Sequence, residues 1–423
     1  MTSARSNTPT FTRYQKFIIA ILAILQFTLV LDFMVLSPLG VILLKEFSIT
    51  TVQFGWVVSA YAFSAGASGL LAAGFADKFD RKKLLLFFYS GFIVGTLLCG
   101  IATSYEFLLI ARIVTGIFGG VIGSVSFAII TDLFKMEVRG RVMGFVQMAF
   151  SGSQILGLPI GLKLAEWFDW HSPFLMIVGI SVVVFVSIVV YMKPIVAHLL
   201  INSNQNPFEH LIKTLSQRNY LRAFAATILL ATGGFMLMPF GSTFAINNLG
   251  INMSQFTMIY LVTGIATMIA SPFIGKLSDK VGKYEVFVGG SIVGMIMVII
   301  YCNLDVTPLW MIVIINAILF IGITSRMISS SALMTAIPEP ADRGAFMGIN
   351  SAIAQVSGGI AALIAGLIVV QGADGKLQHY PVLGYVVVGA MLVTIVMMSI
   401  LNRFIKRKTE SQSIVTAVPV SNV

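Results

Sequence analysis

The chain has 423 residues, 57% hydrophobic and only 10% charged, with a formal net charge of +10; its mean hydropathy is +0.94. Soluble domains carry about 25% charged residues, and so few charges cannot solvate so much apolar surface. The composition excludes a soluble enzyme, a disulfide scaffold and a disordered chain, and leaves an integral membrane protein.

A helix needs roughly 20 apolar residues to cross a hydrocarbon core of about 30 Å. Twelve such runs occur in order: 17–44, 53–76, 84–104, 107–131, 141–165, 173–192, 221–247, 254–275, 286–303, 309–335, 345–371 and 381–402. The alternation of a membrane β-barrel is absent. The first run is too long for a signal-peptide core and no small-residue cleavage site follows it, so it is expected to stay as a helix. Residues 1–16 are read as a tail, 17–192 as six spans, and 193–220 as a polar linker. A second set of six spans fills 221–402, and 403–423 form a second tail. The expected fold is an all-α membrane protein with two six-helix bundles.

Lys and Arg positions set orientation. Of the 27 basic residues, 22 fall in the two tails and in or at the edges of the loops after even-numbered spans. The opposite loops hold only Lys45, Lys163 and Lys376. Both termini are therefore expected to be cytoplasmic, in a bacterial inner membrane, and the positive charge is expected to report orientation, with no nucleic-acid partner. Cys99 and Cys302 lie in separate apolar runs, and His171, His198, His210 and His379 lie in or beside polar breaks. No disulfide framework and no metal-ligand spacing results.

The halves resemble each other. Arg139-Gly140-x-x-Met143-Gly144 recurs 204 residues later as Arg343-Gly344-x-x-Met347-Gly348. After the second and eighth spans, AGFADKFDRKK is answered by GKLSDKVGKYE, which sets Asp77 against Asp279. Such a 6 + 6 repeat is the plan of a secondary transporter, with substrate held between the halves near mid-membrane.

The loop Ala73-Gly74-Phe75-Ala76-Asp77-Lys78-Phe79-Asp80-Arg81-Lys82 resembles the G-x-L-a-D-r-x-G-r-k signature of the major facilitator superfamily, with Ala73 and Asp80 replacing two glycines. Its second copy, Gly275-Lys276-Leu277-Ser278-Asp279-Lys280-Val281-Gly282-Lys283, is closer. LLIARIVTGIFGG in the fourth span is similar to l-x-x-x-R-x-x-q-G, with Arg112 and Gly116 in place, and LDFMVLSPL in the first resembles the acidic segment of the drug/proton antiporter branch at Asp32. The fifth span departs from the antiporter pattern, because its proline, Pro159, is displaced. The resemblance implies proton-coupled export, with Arg112 positioning the Asp32 carboxylate.

Read from the residues alone, Asp32 is 16 residues from Lys16 and 13 from Lys45, hence near mid-membrane. A charge there costs at least ~2.5 kcal/mol and must face a cavity or partner. It serves either proton coupling or a permanent salt bridge. Arg112 is a coupling partner or a snorkelling anchor. Arg326, in the middle of the tenth span, is expected to face Asp32 across the cavity, to hold an anionic substrate group, or to bond to backbone. Asp77 is expected to meet the start of the eleventh helix and Arg81 to pair with Asp132. Arg139, Asp279, Lys283 and Arg343 complete the candidate gate.

In the seventh span Gly233, Gly234 and Pro239 predict an interrupted helix, with Phe235, Met236, Met238 and Phe240 as an adaptable apolar wall. Gln26, Gln147, Gln154, Asn316 and Gln355 are candidate polar contacts. Gly91/Gly95, Gly119/Gly123, Gly157/Gly161 and Gly290/Gly294 have the small-x-x-x-small spacing of close helix approach. No HExxH, GxSxG or GxxxxGK[ST] motif occurs, so neither an enzyme nor an ATP-driven pump is expected. The expected protein is a monomeric, proton-coupled exporter of small amphiphilic compounds with no cofactor beyond protons. The alternative is a symporter or exchanger of an organic anion held by Arg326.

Overall fold

The computed structural model describes residues 11–72, 76–196, 199, 207–339 and 342–417. Twelve helices are long and apolar enough to cross a membrane. We number them α1 Arg13–Glu46, α2 Thr51–Ala72, α3 Arg81–Cys99, α4 Tyr105–Leu133, α5 Met136–Trp167, α6 Ser172–Tyr191, α7 Arg218–Asn248, α8 Met253–Val281, α9 Lys283–Cys302, α10 Leu309–Ala336, α11 Arg343–Ile368 and α12 Tyr380–Ala417. The first six form one bundle and the last six another, and with an even number of crossings both termini lie on one face.

Local sequence sets the helix starts. Thr12 and Gln15 form a capping box at α1, and Asn252 with Gln255 repeats it at α8. Asp80 caps α3 by accepting from the Lys82 N–H at 2.9 Å. At the joint of α8 and α9, Gly282 adopts φ +128°, which a side chain would strain.

Two helices are interrupted. Pro159 has no N–H to give Ile155, and the turn before it, Ser153–Gly157, widens to π geometry. The widened turn lets the Ser153 hydroxyl reach the Phe27 carbonyl of α1 at 3.0 Å. In α7 the regular helix stops at Phe235, and a 3-10 turn at Met238–Phe240 and a π turn at Phe244–Asn248 follow, as the glycines and Pro239 predict. Two elements had no sequence expectation. A ten-residue helix, Pro207–Ser216, lies in the linker. A hairpin pairs β1 (Val370–Gln371) with β2 (Leu377–Gln378) between α11 and α12.

Helix approach uses small residues. A Cβ on Gly116 would stand 2.5 Å from the Tyr61 carbonyl, and one on Gly120 2.2 Å from that of Ala65, so α2 and α4 touch backbone to backbone. Gly290 meets α10 the same way, 3.0 Å from the Gly322 carbonyl. Gly123, expected to join this pattern, has nothing within 4 Å. Its partner Gly119 is packed as expected, a Cβ there lying 3.1 Å from the Tyr61 hydroxyl, and the tightest contacts of α4 are at Gly116 and Gly120.

The bundles meet along α1/α7, α2/α11 and α5/α8. Ser59 donates to the Gly359 carbonyl at 2.7 Å and Thr51 to those of Gly366 and Val369 at 3.0 and 2.7 Å. Ser37 donates to the Met238 carbonyl, while Ser242 donates back to that of Ser37 at 2.8 Å. Phe54 and Phe240 pack edge to face at 5.9 Å. Most of these contacts lie toward the ends of the helices remote from the termini, so the molecule is closed at the face opposite them.

Candidate functional site

Asp32 sits midway along α1 and Arg112 two turns into α4, both fully buried. Arg112 Nη1 donates to Asp32 Oδ2 at 2.8 Å, and the Thr96 hydroxyl of α3 donates to Oδ1 at 3.3 Å. The guanidinium lies over the Tyr61 ring of α2, 4.5 Å from its centroid. Four helices thus enclose one ion pair. Among the described residues Arg112 Nε has no hydrogen-bond partner. A buried ion pair of this kind is held by geometry rather than by solvent, and removal of either partner strands the other. The implied contact between Asp32 and Arg112 is present; Tyr61 and Thr96 were not singled out by sequence, since neither belongs to a motif.

Next to the pair, Phe33 touches Tyr61 at 5.6 Å and Phe235 of α7 at 5.5 Å. The buried charges are therefore one aromatic contact away from the broken helix of the other bundle.

A second site lies inside the carboxyl-terminal bundle. A cavity of about 360 Å³ is lined by α7–α12, with Phe235, Met238, Asn316 and Arg326 on its wall. Arg326 is 7% exposed and lies over the Phe287 ring at 5.5 Å. Arg326 Nε and Nη2 and the Ser329 hydroxyl are buried without a hydrogen-bond partner among the described residues. Of the alternatives for Arg326, pairing with Asp32 is not the one seen in this structure: Asp32 is held by Arg112 of its own bundle, and Arg326 lines the cavity of the other. Asn316 accepts from the Thr263 hydroxyl at 3.2 Å.

Two members of the expected wall belong elsewhere. Met236 is buried in the core, and Phe240 packs on Phe54 in the closure. Gln355 lies beside Gly66 at the α2/α11 seam, 3.5 Å from where its Cβ would be. Gln26 and Gln154 are half-buried and off this cavity.

On the termini face, Arg81 Nε donates to Asp132 Oδ2 at 3.0 Å, joining α3 to the end of α4 as expected. Arg139 donates to the carbonyls of Phe134 and Thr131 at 2.9 and 2.6 Å, so it caps the end of α4. Asp80, read only as a departure from a motif, also accepts from the Ile195 N–H at 2.9 Å and ties the linker to α3. Its place just before an apolar helix was the available signal. Tyr220 and Gln217 donate to Asp342 at 2.9 and 3.2 Å in the other bundle. Asp279 and Lys283 are exposed and make no ion pair among the described residues. The side chains of Asp77, Gln147 and Arg343 lie outside those described.

The model of the Major Facilitator Superfamily matches residues 22–224 and again 223–421. The uncharacterized MFS-type transporter YceJ of Bacillus subtilis is 30% identical over 267 residues, 63% of this chain and 67% of that protein. Multidrug resistance protein 3 of the same organism is 33% identical over 146 residues, 34% of this chain and 28% of that one. Among solved structures, the nucleoside transporter NupG has a TM-score of 0.72 at 16% identity, covering 91% of this chain and 99% of its own. A bacterial homolog to the human lysosomal transporter Spinster, inward-facing, has 0.67 at 16%, covering 94% and 97%. These two establish the fold alone. Two family matches, one per bundle, agree with the internal repeat, and the chain belongs to the Major Facilitator Superfamily as a multi-pass membrane transporter, not an enzyme.

Proposed function

We propose that the protein exports small amphiphilic compounds by alternating access, coupled to proton entry, in a bacterial inner membrane with both termini cytoplasmic. The buried Asp32–Arg112 pair carries this reading. It is the acidic group best placed to take a proton at membrane depth. When a proton reaches Asp32, the carboxylate loses its charge and Arg112 loses its counter-ion, which biases the bundle toward another packing. Phe33 and Phe235 give that change a short route to the opposite bundle. The apolar cavity wall supports an amphiphilic substrate, and the likeness to a multidrug resistance protein supports export. The basic residues support the orientation.

The test is a proteoliposome assay with an imposed pH gradient and a panel of amphiphilic substrates. The native chain is expected to link substrate flux to proton flux, while Asp32→Asn binds substrate and no longer accumulates it against a gradient. Substrate transport with no accompanying proton movement, or full gradient-driven transport by Asp32→Asn, overturns the reading.

A further inference from the structure

The two bundles solve the same electrostatic problem differently. Arg112 is neutralised by Asp32, whereas none of the residues lining the cavity around Arg326 is acidic. Among the described residues no ion pair involves Arg326, and two of its nitrogens are buried without partners. A guanidinium at this depth, stacked only on Phe287, is strongly unfavourable unless something in the cavity compensates it. Ser330, one turn further along the same helix, also lines the cavity. Gly233 of α7 stands across the cavity from Arg326, a Cβ there lying 4.0 Å from Arg326 Nη1.

We propose that this cavity binds an amphiphilic organic monoanion, with its carboxylate or equivalent acidic head on Arg326. The proposal rests on the transport reading above and names the substrate class. Arg326 presents a planar fork of donors suited to a carboxylate. From Arg326 to Asn316 on the same helix is ten residues, about 15 Å of rise. Between them the wall is apolar, including Leu319, Phe320 and Ile323, and the far end carries Tyr260, Tyr301 and Tyr380. A ligand with one acidic head, an apolar body up to that length and room for a weakly polar tail fits this order. The volume of about 360 Å³ is at the small end for a drug-sized molecule. An amine head is opposed by Arg326, and a neutral head forgoes the charge-assisted bonds.

The test uses the full chain in lipid nanodiscs with no proton gradient. Binding of radiolabelled 1-naphthaleneacetate and decanoate is compared with the alcohol and amine of each skeleton. The carboxylates are expected to bind at least ~10-fold tighter than their partners. Arg326→Gln is expected to erase that preference by weakening carboxylate binding far more than alcohol binding, and Arg326→Lys to keep part of it. Equal binding of the three head groups, absence of carboxylate binding, or a preference that survives in Arg326→Gln overturns the proposal. The head-group comparison on the native chain decides even where a variant does not fold. A carboxylate preference without proton-linked flux in liposomes defeats the coupling reading alone. Proton-linked transport of amines without a carboxylate preference defeats this one alone.

Discussion

Asp32, Arg112 and Arg326 are the buried charges in the interiors of the spanning helices, and their partners divide them. Asp32 and Arg112 neutralise each other at 2.8 Å; Arg326 has Phe287 and a cavity. Truncating Arg112 strands a buried carboxylate, and the expected cost of Arg112→Gln is about 3–5 kcal/mol. The double variant Asp32→Asn with Arg112→Gln leaves no stranded charge and is expected to recover a large part of that loss. Thermal melting of the four proteins of this cycle checks it; additive losses contradict the pairing. Sequence places all three in the interiors of their spans but leaves the partner of Arg326 open among Asp32, a substrate anion and backbone. Pseudo-symmetry puts Arg326 on the helix corresponding to that of Arg112, but it says nothing of where a long side chain folds. A carboxylate already satisfied within its own bundle has no reason to reach across.

At the scale of elements, helix existence was legible and helix interiors were not. Twelve apolar runs became twelve helices because hydrocarbon forces every backbone polar group into an internal bond. The break in α7 was readable from Gly233, Gly234 and Pro239, and the π turn in α5 only in hindsight from Pro159. The linker helix Pro207–Ser216 and the hairpin after α11 were not anticipated: the strands are two residues each, and the helix, though amphipathic, sits in a stretch read only as polar. Which faces touch was also poorly readable: outer faces carry large apolar residues such as Phe87, Val183 and Phe273, so a lipid face and a packed face look alike. Glycine spacing therefore pointed to Gly119/Gly123, of which Gly119 is packed and Gly123 is open, while the tightest contacts of α4 are at Gly116 and Gly120. Gly120→Val is expected to destabilise by at least about 1–3 kcal/mol, because the obstructing atom is the Ala65 backbone carbonyl at 2.2 Å. Gly123→Ala, facing open space, is expected to melt within a degree or two of the native protein. Equal melting of both variants contradicts the assigned face.

At the scale of the molecule, the seam between bundles is built from hydroxyls donating to opposing carbonyls: Ser37, Ser59, Thr51 and Ser242. Such bonds suit an interface that must open, since each partner can turn to water or to its own helix when the bundles part. A cross-link between Ser37→Cys and Ser242→Cys is expected to hold the face opposite the termini closed and arrest transport. Reductant is expected to restore it when the link is a disulfide. Undiminished transport with the link in place contradicts the assignment of that seam as a moving gate.

The amino-acid sequence alone determined the membrane class, the twelve spans, the two-fold repeat and the family, because each depends on composition, run length or a local motif. It also picked out the Arg81–Asp132 contact, where an opposite pair stands at helix ends on the same face. The tertiary structure alone decided which buried charge is neutralised, which glycines touch, which face is closed and where a cavity remains. Those are outcomes of helix rotation and side-chain reach, and a chain apolar on every side leaves both unmarked in its sequence.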